Sequence, residues 1–111
     1  MIYAVDFDGT LTLTNEFPRI GKANIPLFNY CKQLKKEGNK LILWTCRSGK
    51  WLDDAVEACK LYNLEFDAVN KNVPETLELF GKYGEGSKVY ADFYIDDKNL
   101  LIKDVLKENN K

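Results

Sequence analysis

The chain has 111 residues, 16 of them basic and 17 acidic, with 45% hydrophobic and 13% aromatic side chains and no histidine. That length fits one domain, residues 1–111, at ~100–200 residues each, and a net charge of −1 gives no electrostatic reason to bind nucleic acid or a membrane surface. The missing imidazole excludes Ser-His-Asp and Cys-His catalysis within the chain, together with histidine-ligated zinc or iron.

Ile2-Tyr3-Ala4-Val5 is a short apolar run ending at Asp6 and predicts a buried strand. Gly9 to Lys22 follows neither the strand nor the helix period; a loop this long in so small a domain is more often functional than idle. Asn24 is placed to cap a helix with Pro26 in its first turn, on which Leu27, Phe28, Cys31 and Leu34 recur at helical spacing before Gly38 ends it. Leu41-Ile42-Leu43-Trp44, ending at Thr45, predicts a second buried strand. Trp51, Leu52, Ala55, Val56, Cys59 and Tyr62 then mark one side of a second helix. Phe66 to Val69 predicts a weaker third strand, and Asn72 with Pro74 opens a helix that carries Leu77 and Phe80 and ends near Gly81 or Gly84. Phe93-Tyr94-Ile95 predicts the fourth strand, running into Asp96-Asp97. A last helix from about Asn99 places Leu101, Ile102, Val105 and Leu106 on one side, and Glu108 to Lys111 reads as a frayed tail. This alternation predicts an α/β fold, a doubly wound, Rossmann-like parallel sheet in three α/β/α layers with right-handed crossovers.

Cys31, Cys46 and Cys59 form no C-x-x-C pair, and their odd number fits reduced thiols. No apolar run approaches the ~20 residues that cross a bilayer. Met1-Ile2-Tyr3 leads straight into an acidic motif without the charged and apolar regions of a signal peptide, so the expected location is cytoplasmic, with no membrane partner. Carboxylate, lysine, hydroxyl and thiol chemistry remain, and a metal, if one is used, is a hard cation held by oxygen. In an open parallel sheet, ligands bind beyond the carboxyl ends of the strands. There the chain places Asp6-x-Asp8 after the first strand, Thr45 after the second, Lys71 after the third and Asp96-Asp97 after the fourth.

These residues carry a family resemblance. Asp6-Phe7-Asp8-Gly9-Thr10-Leu11 resembles the first motif of the haloacid dehalogenase (HAD) superfamily of phosphohydrolases. Leu41-Ile42-Leu43-Trp44-Thr45 resembles its second, an apolar strand ending in Ser or Thr, and Tyr94-Ile95-Asp96-Asp97 its fourth, an apolar strand ending in an acidic pair. The resemblance spans most of the chain in the right order. It implies a phosphatase in which Asp6 attacks phosphorus to form an aspartyl-phosphate, while Asp8 protonates the leaving oxygen and then activates water. It also implies a Mg²⁺ cofactor held by the Asp6 side chain, the Asp8 backbone carbonyl and Asp97, with Asp96 adjacent. Thr45 then offers a hydroxyl to the phosphoryl oxygens, and Gly9 allows the tight turn that keeps both carboxylates inward.

The family's third motif, a lysine ahead of the last strand, has two candidates. Lys71 is preferred because it directly follows a strand and precedes a helix opened by Pro74, whereas Lys88 reaches the site only if its segment folds back. The two arginines, Arg19 in the irregular loop and Arg47 just beyond Thr45, are expected to bind substrate with their guanidinium forks. Larger members of the superfamily carry an inserted cap domain, and this chain has room only for short connections, so it resembles the capless branch. Such an open site suits a macromolecular substrate or shielding by a second copy of the chain, with Phe17, Pro18 and Ile20 as the contact.

Blander readings stand beside these. The acids can be turn or helix N-terminal residues, Thr45 a strand-end hydroxyl and Lys71 a solvated charge, while Trp44 and Trp51 are expected to pack rather than stack on bases. Asp54 lies near the position where a phosphorelay receiver carries its acceptor, but within a helical pattern rather than at a strand end. The expected ligand is a phosphorylated small molecule. A non-catalytic binding or regulatory domain and a phosphatase for nucleic-acid ends are the alternatives, the latter disfavoured because lysines and acids alternate without a basic stripe.

Overall fold

Four parallel strands form the centre of the protein, seen here in a computed structural model that describes residues 1–109. They are β1 (Ile2–Val5), β2 (Lys40–Leu43), β3 (Ala68–Val69) and β4 (Phe93–Ile95), in the spatial order β3-β2-β1-β4. The chain steps outward from β1 to β2 to β3 and then returns to pair β4 on the other side of β1. The winding direction therefore reverses between β1 and β4, which is where an open parallel sheet presents its ligand crevice. Val5 is level with Leu43 on one side and with Ile95 on the other, and Leu43 is level with Val69. One row further on, at a single edge, stand Asp6, Trp44, Asn70 and Asp96. This is the Rossmann-like α/β fold that the alternating apolar runs imply.

The first face of the sheet is closed by two helices, α1 (Ile25–Lys36) and α2 (Gly49–Leu61). Asn24 caps α1, its side-chain oxygen accepting from the Leu27 amide at 3.4 Å, and Pro26 sits in the first turn where its missing N–H costs nothing. Phe28, Cys31 and Leu34 of α1 and Ala55 and Cys59 of α2 bury against Val5, Leu41 and Leu43. On the other face, Ala4, Ile42 and Ala68 are covered by Val73, Val89 and Ala91, residues of the connection from β3 to β4.

The second half of the chain departs from the expected packing. Strand β3 has two residues where four were expected, Phe66 lying before it partly buried against the first face. Helix α3 (Pro74–Phe80) buries Thr76, while Leu77 and Phe80, the two apolar residues expected to face the core, are 41% and 53% exposed. Its seven residues run directly into a 3-10 turn over Gly81–Tyr83, and the Val73, Val89 and Ala91 side chains cover this face of the sheet. Helix α4 (Ile102–Asn109) begins three residues later than Asn99, and Leu101, Ile102, Val105 and Leu106 remain exposed. Of the tail expected from Glu108, α4 continues to Asn109, and Asn110 and Lys111 lie outside the described residues.

The segment from Gly9 to Lys22 is more ordered than its composition suggests. Residues 7–11 make a tight turn in which Thr12 N–H donates to the Phe7 carbonyl at 3.0 Å. Thr12 then bridges Ala23 in antiparallel fashion, and the Leu13 amide donates to Lys22 O at 2.8 Å. A short neck thus closes a loop over residues 13–22. No separate domain is inserted between any two strands among the described residues, and no described helix is long and apolar enough to cross a membrane.

Candidate active site

The end of β1 is stitched to β4 by the Asp6 amide, which donates to Ile95 O at 3.0 Å. That bond sets Asp6 beside Asp96 and Asp97, the residues that leave β4, and each of the three carboxylates offers an oxygen within 4.8 Å of the others. Asp6 is half-buried, and its pKa rises from an ordinary 3.8 to about 6. Burial is the chief cause. A hydrogen bond from the Phe7 backbone opposes it, and the charges of Asp96, Asp97 and Asp8 add to the rise.

Gly9 explains how the first loop comes so close to Asp97. Its φ is +79°, and a Cβ placed there would stand 2.6 Å from Asp97 Oδ2, so both the backbone angle and the space require glycine. Asp96 Oδ1 accepts from the Lys98 amide at 3.0 Å, and Asp97 Oδ2 lies 3.5 Å from Lys98 Nζ. Three carboxylate oxygens meet here, one of them destabilised as an anion, and oxygen donors of this kind suit a hard metal cation. The Asp6, Asp96 and Asp97 side chains could hold it.

The Asp8 carboxylate does not join this group. Its side chain turns to Arg47, whose Nε donates to Oδ2 at 2.8 Å and whose Nη2 donates to Oδ1 at 2.7 Å. Arg47 is 2% exposed and donates in addition to the carbonyls of Pro18, Arg19 and Trp51. All five N–H groups of the guanidinium are committed inside the protein. The expectation that Arg47 grips substrate directly therefore does not fit this arrangement. Arg19 has its side chain at the surface, 3.8 Å from Glu16.

At the end of β2, the Thr45 amide donates to Asn70 Oδ1 at 2.8 Å, and Thr45 Oγ1 accepts from the Arg47 amide at 3.2 Å. The Thr45 hydroxyl thus accepts within the turn and keeps a proton of its own that it can donate. Asn70 sits one position past β3 with φ +53° and also donates to Arg47 O at 3.4 Å. It organises the whole turn, and sequence reasoning passed over it. The available signal was an Asn at a strand end, one of the few residues that tolerate a left-handed backbone.

Lys71, the next residue, is exposed just beyond β3. The Lys88 segment does fold back: its ammonium lies over the Tyr94 ring at 4.9 Å and lines a small cavity with Trp44, Asp96 and Asn99. Trp44 is partly buried against the second core face, and Trp51 meets Phe17 edge-on at 5.9 Å, so both tryptophans pack. Asp54 lies inside α2, away from any strand end. Burial pushes the Cys31 and Cys59 thiols up to about 11 and about 12, which makes them inert core residues, while Cys46 is exposed.

No family model matches this chain, and no curated protein does. Among solved structures, a conserved protein from Bacteroides thetaiotaomicron is similar at 37% identity, with the match covering 100% of this chain and 92% of that one and a TM-score of 0.78. A likeness of that degree over the full length joins sequence and fold, and the chain belongs to the family of this conserved Bacteroides protein.

Proposed function

We propose that the protein is a phosphatase of the haloacid dehalogenase type, acting on phosphate monoesters of small molecules with Mg²⁺ as cofactor. The observation that carries this reading is the meeting of Asp6 with Asp96 and Asp97 at the point where the sheet reverses its winding, with Asp8 two positions further along the same turn. The motif order of Asp6-x-Asp8, Thr45 and Asp96-Asp97 supports it. Mg²⁺ would be held by the Asp6, Asp96 and Asp97 side chains with the Asp8 backbone carbonyl, and there it would supply charge neutralisation between carboxylate and phosphate.

The chain's own groups perform the rest. The Asp6 carboxylate attacks phosphorus, the bond to the leaving oxygen breaks, and that oxygen takes from Asp8 the proton left there by the water attack of the preceding turnover. The free lone pairs of the Asp8 carboxyl can carry that proton while the group still accepts from Arg47. Asp8 then accepts a proton from water as the water oxygen attacks the same phosphorus. Inorganic phosphate departs and the Asp6 carboxylate is restored. Thr45 donates its hydroxyl to a phosphoryl oxygen throughout. Lys88, whose segment folds back to line a cavity with Asp96, brings an ammonium toward the phosphoryl group in place of the exposed Lys71, and Arg19 at the surface of the loop is the guanidinium with a fork available to substrate.

Release of inorganic phosphate from a panel of phosphorylated metabolites, with Mg²⁺ or with EDTA, tests the proposal. Metal-dependent turnover of at least one monoester that disappears in Asp6→Asn is the result expected. Turnover that survives in Asp6→Asn contradicts it, as does a complete lack of turnover across the panel.

A further inference from the structure

Arg47 sits where a phosphate ligand would be expected, yet its fork faces inward. An arginine has five N–H donors in a rigid plane. Here two go to Asp8, two to the Pro18 and Trp51 carbonyls at 3.2 Å each, and one to the Arg19 carbonyl at 2.7 Å. The Phe7 and Phe17 rings each lie 5.1 Å from its Cζ. Three parts of the chain therefore converge on one cation. They are the turn after β1 with Asp8 and Phe7, the 13–22 loop with Phe17, Pro18 and Arg19, and the first turn of α2 with Trp51.

The chemistry asked of Asp8 demands that its carboxylate be held still, because a misplacement of ~1 Å can cost about a hundredfold in rate. A bidentate guanidinium fixes a carboxylate in plane and in direction, which a single ammonium cannot do. The same guanidinium can make its bonds to the Pro18 and Arg19 carbonyls only while the 13–22 loop is folded over it. We propose that Arg47 is a positioning residue for Asp8 and the clasp of the 13–22 loop, so that closure of the loop and orientation of the proton-transfer group are one event. Opening the loop removes two carbonyls and a ring from Arg47, and with them the hold on Asp8. The kinetic consequence rests on the phosphatase reading, whereas the coupling of loop to carboxylate rests on the geometry alone.

Arg47→Lys keeps the charge but cannot span both Asp8 oxygens and three carbonyls. For an alkyl phosphate, kcat is expected to fall about a hundredfold with KM nearly constant. The loss is smaller for 4-nitrophenyl phosphate, whose leaving group needs little protonation. In an Asp8→Asn background the same change adds nothing, since the group it positions is gone. A rise in KM with kcat intact, or the full loss repeated in the Asp8→Asn background, overturns the proposal.

Should Arg47→Lys fail to fold, the clasp is tested from its other end. Asp8→Asn with Arg47 in place is expected to speed hydrogen exchange at the Leu13 and Phe17 amides by about tenfold or more, and unchanged protection there overturns the coupling. If the wild-type protein with Mg²⁺ hydrolyses no phosphate ester, the phosphatase reading fails by itself, and the exchange measurement still decides the clasp.

Discussion

Asp6 and Asp8 leave the same turn two positions apart, yet they sit in opposite electrostatic surroundings. Asp6 faces two other acids, and burial with their charges lifts its pKa to about 6. Asp8 is buried against a guanidinium that meets both of its oxygens. The first arrangement is unfavourable until a cation joins it. The second is complete within the chain. Pairs of carboxylates are given distinct jobs by their environments rather than by their identity, and here the division falls between an acid in a cluster that could bind a cation and a carboxylate held by the protein itself.

Removing each side of that division should have different consequences. After the complete loss of turnover in Asp6→Asn, the largest effect expected is that of Asp8→Asn, a fall of about 10²–10⁴-fold in kcat from the loss of general acid–base help, with binding of the phosphate ester little changed. Next is stability. Arg47→Met strands the buried Asp8 charge and is expected to cost about 3–5 kcal/mol, read as a shift of the urea midpoint.

Asp6→Asn should act in the opposite direction. Because the folded pKa of Asp6 lies at about 6 against an ordinary 3.8, the folded state binds more protons than the unfolded one across that window. Its stability therefore falls as pH rises from about 4 to about 6. The amide removes that penalty, so in EDTA at neutral pH Asp6→Asn should melt a few degrees above wild type. An equal or lower melting temperature would erase the contrast between the two acids.

A smaller effect is expected at Gly9. Gly9→Ala puts a methyl group 2.6 Å from Asp97 Oδ2 at a φ of +79°, and the strain is worth about 1–3 kcal/mol. Titration calorimetry should show weaker Mg²⁺ binding in that variant. The smallest expected effect is the dependence of metal stabilisation on pH. Excess Mg²⁺ should raise the melting temperature more at pH 7.5 than at pH 5, because protons hold Asp6 at the lower pH. An equal rise at both would place the ion elsewhere.

The strand ends and the acidic trio were legible because their causes are local or topological. Four apolar runs each ending in a polar residue, laid parallel, bring Asp6, Thr45, Lys71 and Asp96 to one edge whatever the details of packing. Asn24 and Pro26 announced α1 by capping chemistry that depends on neighbours alone. The role of Arg47 was hidden because its partners are remote, with Asp8 39 positions away and the Pro18 carbonyl 29 away. Only the folded loop brings them together. Helices α3 and α4 show a different failure. The apolar positions Leu77, Phe80, Leu101 and Ile102 have the spacing of buried faces, but periodicity states which side of a helix is apolar and not whether the sheet has room for it.

The central claim is that Asp6 takes the phosphoryl group. Acid quenching during turnover of a ³²P-labelled monoester with Mg²⁺, followed by peptide mapping, tests it most directly, with Asp8→Asn used to slow hydrolysis of the intermediate. The expected result is an acid-stable, alkali-labile label on Asp6. Turnover without any labelled protein, or a label on Asp96 or Asp97, would contradict the account.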